Sequence, residues 1–170
     1  MYETFSQCSE LTEMPEIPNG MIDMTSTFYD CINLKSLTNI PNSVKTMTYT
    51  FYNCNQIILP PKLPDSVANL TSCFSNCIKL TQMPDIPENV TTMSRTFMNC
   101  IEITEMKKIP DKVTDLSECF RGCVKLKTAT AIPNSVINMR STFRECHDLQ
   151  GILEINANLT GKIVEDGYED

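Results

Sequence analysis

All seven Phe residues of this 170-residue chain lie 23 residues apart. A fixed spacing without insertions is typical of proteins in which each repeat stacks on the next. When the sequence is written in rows of 23, other residues align with each Phe, and the unit reads roughly IP-x-x-V-x-x-M-x-x-T-F-x-x-C-x-x-L-x-x-M. The seven Phe residues are Phe5, Phe28, Phe51, Phe74, Phe97, Phe120 and Phe143.

The aligned apolar columns predict one continuous interior. They hold most of the apolar residues of a chain that is 41% hydrophobic, which is enough for a folded core. Because repeats stack in register, we expect each Phe to lie on the Phe of the next repeat and form an aromatic ladder.

Two architectures fit this pattern. The segment V-x-x-M-x-x-x-F-x-x-C-x-x-L resembles an amphipathic helix. However, Thr, Ser and Asn fill the intervening positions and Pro recurs in each period, which disfavours one helix per repeat. Leucine-rich repeats run about 20–29 residues and helical repeats about 33–47. We therefore predict a β-rich solenoid, a leucine-rich-repeat-like right-handed coil of about seven 23-residue rungs with short strands and helical turns.

The elements of each rung follow from its residues. We place the main strand at the Leu and Met columns, as in LTEM and LKSL, and a second extended piece after the Pro, as in SVKTM. T-F-x-x-C is predicted to be a helical turn because Phe and Cys at i, i+3 share a face. We expect the solenoid over residues 1–149 (about six and a half repeats), a C-terminal cap at 150–164 and an acidic tail at 165–170.

These motifs resemble the leucine-rich repeats of the BspA-like (Treponema pallidum type) surface proteins over about residues 4–159. The shared features are the 23-residue unit, the Phe-x-x-Cys step, a Leu-containing strand and the Ile-Pro-x-x-Val step. The family's Ala before Phe is here Thr or Cys, which is similar to a Met-Phe-Cys subtype of surface and phage-associated proteins of gut bacteria. The resemblance implies a curved solenoid with an extracellular binding or adhesion role.

Charge and segment composition limit the partners and the location. The net charge of −7 and pI of about 4.7 argue against nucleic acid and anionic membranes as partners. The first residues, MYETFSQCSE, lack the features of a signal peptide, and no apolar run of about 18 residues predicts membrane insertion. We expect an extracellular or cell-surface location as part of a longer chain.

The cysteines predict neither disulfides nor a catalytic or metal site. Seven of the nine occupy the interior column, so we expect buried free thiols that pack as small apolar side chains rather than disulfides. Cys73 and Cys119 replace the Thr before Phe and have too few further ligands for zinc. Cys146 precedes His147, the one His of the chain, but Cys146 belongs to the core column. We therefore predict no enzyme, no metal site and no cofactor.

Two outward columns flank the Phe and offer candidate binding residues. Tyr29, Tyr49 and Tyr52 are predicted to cluster on neighbouring rungs, and Arg121, Arg140 and Arg144 to cluster further along. Exposed Tyr and Arg are enriched in binding hot spots, although lateral packing between rungs also explains them. Ile58 and Leu59 on the strand face are a second candidate, as an exposed apolar patch. The predicted binding residues are Tyr29, Tyr49, Tyr52, Arg95, Met98, Arg121 and Arg144.

The sequence thus predicts a non-enzymatic protein- or glycan-binding module of a bacterial cell-surface protein. The alternative is a structural spacer or assembly module of a phage tail or receptor-binding protein. Met1 already fills the Met column, so the chain starts within a repeat. Either it continues a longer chain, or its first rung is covered by a partner, for example through end-to-end self-association.

Overall fold

The computed structural model describes residues 3–150. Within this range the chain forms hydrogen-bonded turns and isolated parallel β-bridges, with no regular helix or strand. We number the repeats 1–7 by their Phe, from Phe5 to Phe143. The predicted cap (150–164) and acidic tail (165–170) lie outside the described residues, apart from Gln150, and the right-handed coil stays a prediction.

The Phe side chains form the predicted ladder. All seven rings stack in one row, with neighbouring centroids 5.5–5.7 Å apart and ring planes within 2–17° of parallel. The five inner rings, from Phe28 to Phe120, are fully buried, whereas Phe5 and Phe143 are partly exposed. The ladder is confirmed, and it sets a common axial spacing for every other column.

The two extended pieces predicted in each repeat carry only isolated bridges in residues 3–150, so neither reaches the length of a regular strand. The longest ladder of parallel bridges runs through the second extended piece, two residues after the Val column, and each contact is a single bridge. A turn begins directly after it, at the Met column, so the extended segment ends before it becomes a strand. The Leu–Met segment has only two such bridges among the described residues, Glu13–Ser36 and Glu105–Thr128. The longer ladder joins Asp23, Thr46, Asn69, Thr92, Asp115 and Asn138.

The helical turn predicted at T-F-x-x-C is also wrong, because this segment is a run of three overlapping β-turns. In repeat 2, the N–H groups of Thr27, Tyr29 and Cys31 donate to the carbonyls of Met24, Ser26 and Phe28 at 3.1, 3.3 and 3.1 Å. The third residues of the first and last turns, Ser26 and Asp30, have φ of 51° and 56°. A type II turn requires positive φ at that position, whereas an α-helix excludes it.

Every second N–H of this turn segment donates a hydrogen bond to the next repeat. A helix would use these donors internally, so the turns leave them free to join the rungs. The same set recurs along the array. In repeat 2, the donors Ser26, Phe28 and Asp30 bond to the carbonyls of Thr48, Thr50 and Tyr52 at 2.9, 3.0 and 2.9 Å.

The Cys and Thr columns add polar contacts to the apolar core. Six column thiols, from Cys31 to Cys146, each donate to the carbonyl of the Phe in the preceding repeat, at 3.0–3.2 Å. Thr50 likewise donates to the carbonyl of Met24 at 2.9 Å. All nine Cys are free, and eight are buried, Cys8 being partly exposed. The prediction of buried free thiols is confirmed, but they also act as hydrogen-bond donors, which the sequence did not indicate.

Candidate functional site

Three tyrosines pack together on the outside of the turns, and we call them the tyrosine cluster. The rings of Tyr29 and Tyr52 are stacked, with centroids 4.8 Å apart and planes 3° from parallel. Tyr49 meets both edge-on, at 6.4 Å from Tyr29 and 5.8 Å from Tyr52. All three are partly exposed. Their predicted clustering is confirmed, and their role in binding stays a prediction.

One carboxylate, that of Asp30, lies beside the tyrosine cluster. Burial, and then the neighbouring carboxylate of Asp30, raise the pKa of the Tyr29 hydroxyl. Asp30 is held beside the rings by the Asn53 side-chain amide, which donates to its carboxylate at 2.8 Å. Aromatic faces and carboxylates both attract cationic groups, so this surface suits a basic ligand.

Of the predicted cluster of Arg121, Arg140 and Arg144, the first and last lie together because they share Glu145, whereas Arg140 is exposed and forms none of the ion pairs of the described residues. Two glutamates, Glu118 and Glu145, lie among the Arg side chains. Glu118 is shared by Arg95 at 2.7 Å and Arg121 at 3.2 Å, and Glu145 is shared by Arg121 at 3.4 Å and Arg144 at 3.6 Å. The hydrogen bond from Arg95 lowers the pKa of Glu118 and raises the pKa of Arg95. The positive charge of this stripe is therefore largely balanced.

Repeat 4 separates the tyrosine cluster from Arg95 and Met98. Its outward positions hold Ser72 and Ser75, which we expected to be exposed, yet they are only 2% and 0% exposed. The two serine side chains extend less far from the backbone than the large side chains of the neighbouring repeats, which therefore shield them from solvent. Arg95 and partly exposed Met98 thus border the far side of the serine repeat, whereas Arg121 and Arg144 lie one and two repeats further on.

The second candidate surface is exposed as predicted. The Ile58 and Leu59 side chains are 55% and 58% exposed. They border an open groove of about 640 Å³ between repeats 2 and 3. The groove is lined by Lys35, Leu37, Gln56, Ile58, Leu59, Pro60 and Pro61.

The thiols are poorly suited to nucleophilic chemistry, because burial favours their neutral form. Burial raises the pKa of Cys31 to about 11 and that of Cys77 to about 12. Cys146 also has a pKa raised to about 12, mainly by burial, and its thiol donates to the Phe120 carbonyl at 3.0 Å. His147 beside it is exposed. Within residues 3–150, no three His, Cys, Asp or Glu side chains are placed to hold a metal ion.

The repeat unit matches a known family over nearly the whole chain. The family described as "BspA type Leucine rich repeat region" matches with six copies, over residues 2–67 and 48–163. The chain belongs to this family. None of the curated proteins matches it.

Solved structures of bacterial leucine-rich repeat proteins share the fold. The T. pallidum leucine-rich repeat protein superposes with a TM-score of 0.75 at 22% identity, over 90% of this chain and 72% of that one. A leucine-rich cell-surface protein from Faecalibacterium prausnitzii A2-165 gives 0.67 at 24% identity, over 92% and 52%. A leucine-rich repeat protein from Bacteroides ovatus ATCC 8483 gives 0.57 at 24% identity, over 80% and 41%. This chain therefore spans about half the length of the F. prausnitzii protein.

The F. prausnitzii protein is described as a leucine-rich cell-surface protein. Residues 3–150 contain no apolar helix of membrane-spanning length.

Proposed function

We propose that this chain is a non-enzymatic, protein-binding module of a bacterial cell-surface protein, and that the tyrosine cluster is the centre of its binding surface. The observation that carries the proposal is the packing of Tyr29, Tyr49 and Tyr52 into one partly exposed group. The similarity to a cell-surface protein supports an extracellular location.

Packing between the rings favours binding because it lowers the entropic cost of association. Each ring is already restrained by its neighbours, so little side-chain freedom remains to be lost when a partner arrives. Tyr also offers a large apolar area with a polar hydroxyl, which is why it is enriched among hot-spot residues.

The charge around the cluster selects the class of partner. The Asp30 carboxylate beside the rings and the faces of the rings favour a protein surface that presents Lys or Arg. Arg95 and Met98 extend the surface beyond the serine repeat. Arg121 and Arg144 belong to the balanced ion-pair row, so we assign them a smaller contribution.

The experiment compares three forms of the chain on arrays of host extracellular proteins and of glycans. In the first variant, Tyr29, Tyr49 and Tyr52 are all changed to Ser. In the second they are changed to Phe, which keeps the rings. Ile137→Ser, which alters an exposed apolar residue elsewhere (60% exposed), is the matched control.

We expect protein binding by the wild-type chain, the Phe variant and the Ile137→Ser control. The Ser variant should bind at least tenfold more weakly while its circular dichroism shows that it is still folded, although loss of the three ring contacts lowers its melting temperature. Undiminished binding by the Ser variant would exclude the tyrosine cluster. Binding to glycans but to no protein would overturn the partner class. End-to-end self-association stays a separate prediction, which sedimentation at increasing concentration tests.

A further inference from the structure

A ridge of aliphatic side chains runs along one corner of repeats 4, 5 and 6. It occupies the column that follows the core Cys, where Ile78, Ile101 and Val124 lie on successive repeats. At each of these positions the chain makes a tight turn between the buried Cys and the buried Leu or Ile, so the ridge lies on the outside of the core. Ile78 is 39% exposed, and Ile101 and Val124 are partly exposed. Aliphatic side chains that meet water on three neighbouring repeats indicate an interaction surface.

A row of alternating charges lies directly beside the ridge. Its members follow the ridge column by one residue, in repeats 4 to 7, and are Lys79, Glu102, Lys125 and Asp148. In the middle of the row, Lys125 pairs with Glu102 at 2.8 Å. Lys79 donates to the neutral amide of Gln56 at 2.7 Å, and within residues 3–150 neither Lys79 nor Asp148 forms an ion pair. The row therefore has an unpaired positive charge at one end and an unpaired negative charge at the other.

Such a row is complementary to a reversed copy of itself. In a two-fold dimer whose axis crosses the two arrays at a right angle, each column faces the same column of the second copy, running in the opposite direction. With the axis between repeats 5 and 6, Lys79 faces Asp148 of the second copy. In the same arrangement, Glu102 faces Lys125 of the second copy. A shift by half a repeat brings like charges together, and a shift by a whole repeat leaves two of the four charges unmatched, so charge selects one register.

The same register covers the ridge with apolar surface. Ile101 faces Val124 of the second copy, and two-fold symmetry makes this contact twice. Ile78 lies at each end of the ridge, opposite the exposed His147 of the second copy. On the other flank of the ridge, the column that precedes the core Cys has one charged residue in repeats 4–7, Glu145, so no like charges meet there.

We propose that two copies of this chain pair antiparallel through the ridge and the charged row of repeats 4–7. A contact along one corner of four repeats is small for a dimer, so the association is weak and reversible. The tyrosine cluster lies in repeats 2 and 3, outside the contact, and the dimer carries two such clusters. The pairing does not depend on the function proposed for the cluster. Only the resulting avidity for a partner displayed in several copies rests on that function.

Sedimentation equilibrium at increasing concentration measures the dissociation constant of the dimer. Ile78→Ser shortens the ridge, and Ile32→Ser is the matched control, because Ile32 is also 39% exposed and belongs to the same column but lies outside repeats 4–7. We expect Ile78→Ser to weaken dimerisation at least tenfold, since a symmetric dimer loses the side chain twice. Ile32→Ser should leave the dissociation constant unchanged. Circular dichroism shows whether both variants are folded.

The charged row provides a second test. Lys79→Glu and Asp148→Lys should each weaken dimerisation severalfold, because like charges then meet across the axis. The double variant Lys79→Glu/Asp148→Lys should restore it. The two residues lie three repeats apart within one chain, so restoration arises from contacts between copies.

Zero-length cross-linking with a carbodiimide identifies the register. In a mixture of unlabelled and isotope-labelled chains, mass spectrometry should find Lys79 of a light chain joined to Asp148 of a heavy chain. Changing the three tyrosines to Ser should leave the dissociation constant of the dimer unchanged, which distinguishes failure of this inference from failure of the proposed function.

Four results would overturn the proposal: a chain that stays monomeric at every concentration, equal dimerisation of Ile78→Ser and Ile32→Ser, no restoration by the double charge variant, or association without the Lys79–Asp148 cross-link. The last result would mean that the copies join through another surface, as in end-to-end association.

Discussion

Replacing Phe74 by Ala removes the centre of the aromatic ladder. The ring is fully buried and stacks on Phe51 at 5.5 Å and on Phe97 at 5.7 Å. Truncating a buried Phe to Ala costs about 3–5 kcal/mol, of which two aromatic pairs account for about 1–3 kcal/mol. We expect a loss of about 4 kcal/mol, which corresponds to a fall in melting temperature of roughly 8–16 °C for a chain of this size.

Phe5→Ala is the matched control in the same column. Phe5 is partly exposed and has one stacked neighbour, Phe28 at 5.5 Å. Because Phe5 is less buried than Phe74 and loses one ring contact rather than two, we expect a smaller cost, of about 2 kcal/mol. Phe74→Leu keeps apolar volume without the ring, and the difference between its cost and that of the Ala variant measures burial apart from stacking.

The assay is urea unfolding followed by circular dichroism and by tyrosine fluorescence. The chain has no Trp, so Tyr emission is observable, and Tyr29, Tyr49 and Tyr52 all report on repeats 2 and 3. Since each repeat contacts only its neighbours, a defect at Phe74 weakens the coupling of the two halves, and the two probes should separate. Equal losses for Phe5→Ala and Phe74→Ala, or a loss below about 1 kcal/mol at Phe74, would refute the ladder as the main source of stability.

Two further predictions concern titratable groups. Only Cys8 is partly exposed, and burial raises the pKa of a thiol such as Cys77 to about 12. Iodoacetamide at pH 8 should therefore rapidly modify one of the nine thiols in the native chain and all nine in urea. Mass spectrometry counts the modified thiols, and rapid labelling of Cys77 in the native chain would contradict the prediction. Glu118→Gln should cost about 1 kcal/mol at pH 7. Since folding lowers the pKa of Glu118 from 4.5, this stabilisation is present above pH 4.5 and should be lost as the pH falls through the lower folded-state value. The free energy of unfolding is measured against pH for the wild type and for Glu118→Gln, with Glu102→Gln, which removes the ion pair with Lys125, as the control. A stability difference between wild type and Glu118→Gln that persists well below the folded-state pKa of Glu118 would exclude the ion pairs as its cause.

The sequence predicted those features that depend only on the period. Residues 23 apart become neighbours whatever path the chain takes, so the Phe ladder and the stacking of Tyr29 on Tyr52 followed directly. The pairing of Arg95 with Glu118 depends on the same spacing and was available to the same reasoning. Exposure of Ile58 and Leu59 followed from their being apolar residues outside the core columns.

The path within each repeat could not be predicted in the same way. Phe and Cys at i, i+3 share a face in a helix, but consecutive turns also bring them together. The turns form instead of a helix because they leave N–H groups free to bond to the next repeat. The contact of Arg121 with Glu145 joins different columns and depends on that turn geometry. The burial of Ser75 depends on how far its large neighbours extend, which no column pattern specifies.

Several surface residues occupy left-handed turn positions, where a residue other than Gly raises the backbone energy of the folded chain. Within residues 3–150, thirteen residues other than Gly have positive φ, among them Tyr49, Arg95 and Glu118 at 53°, 55° and 53°. Gly or Asn would adopt this conformation more easily, so these larger side chains are retained at some expense in backbone energy. Glu118 offsets that expense with two ion pairs, whereas Tyr49 contributes to a surface that water still reaches. A left-handed backbone position that nevertheless carries a partly exposed aromatic ring is where selection for recognition is most easily separated from selection for folding.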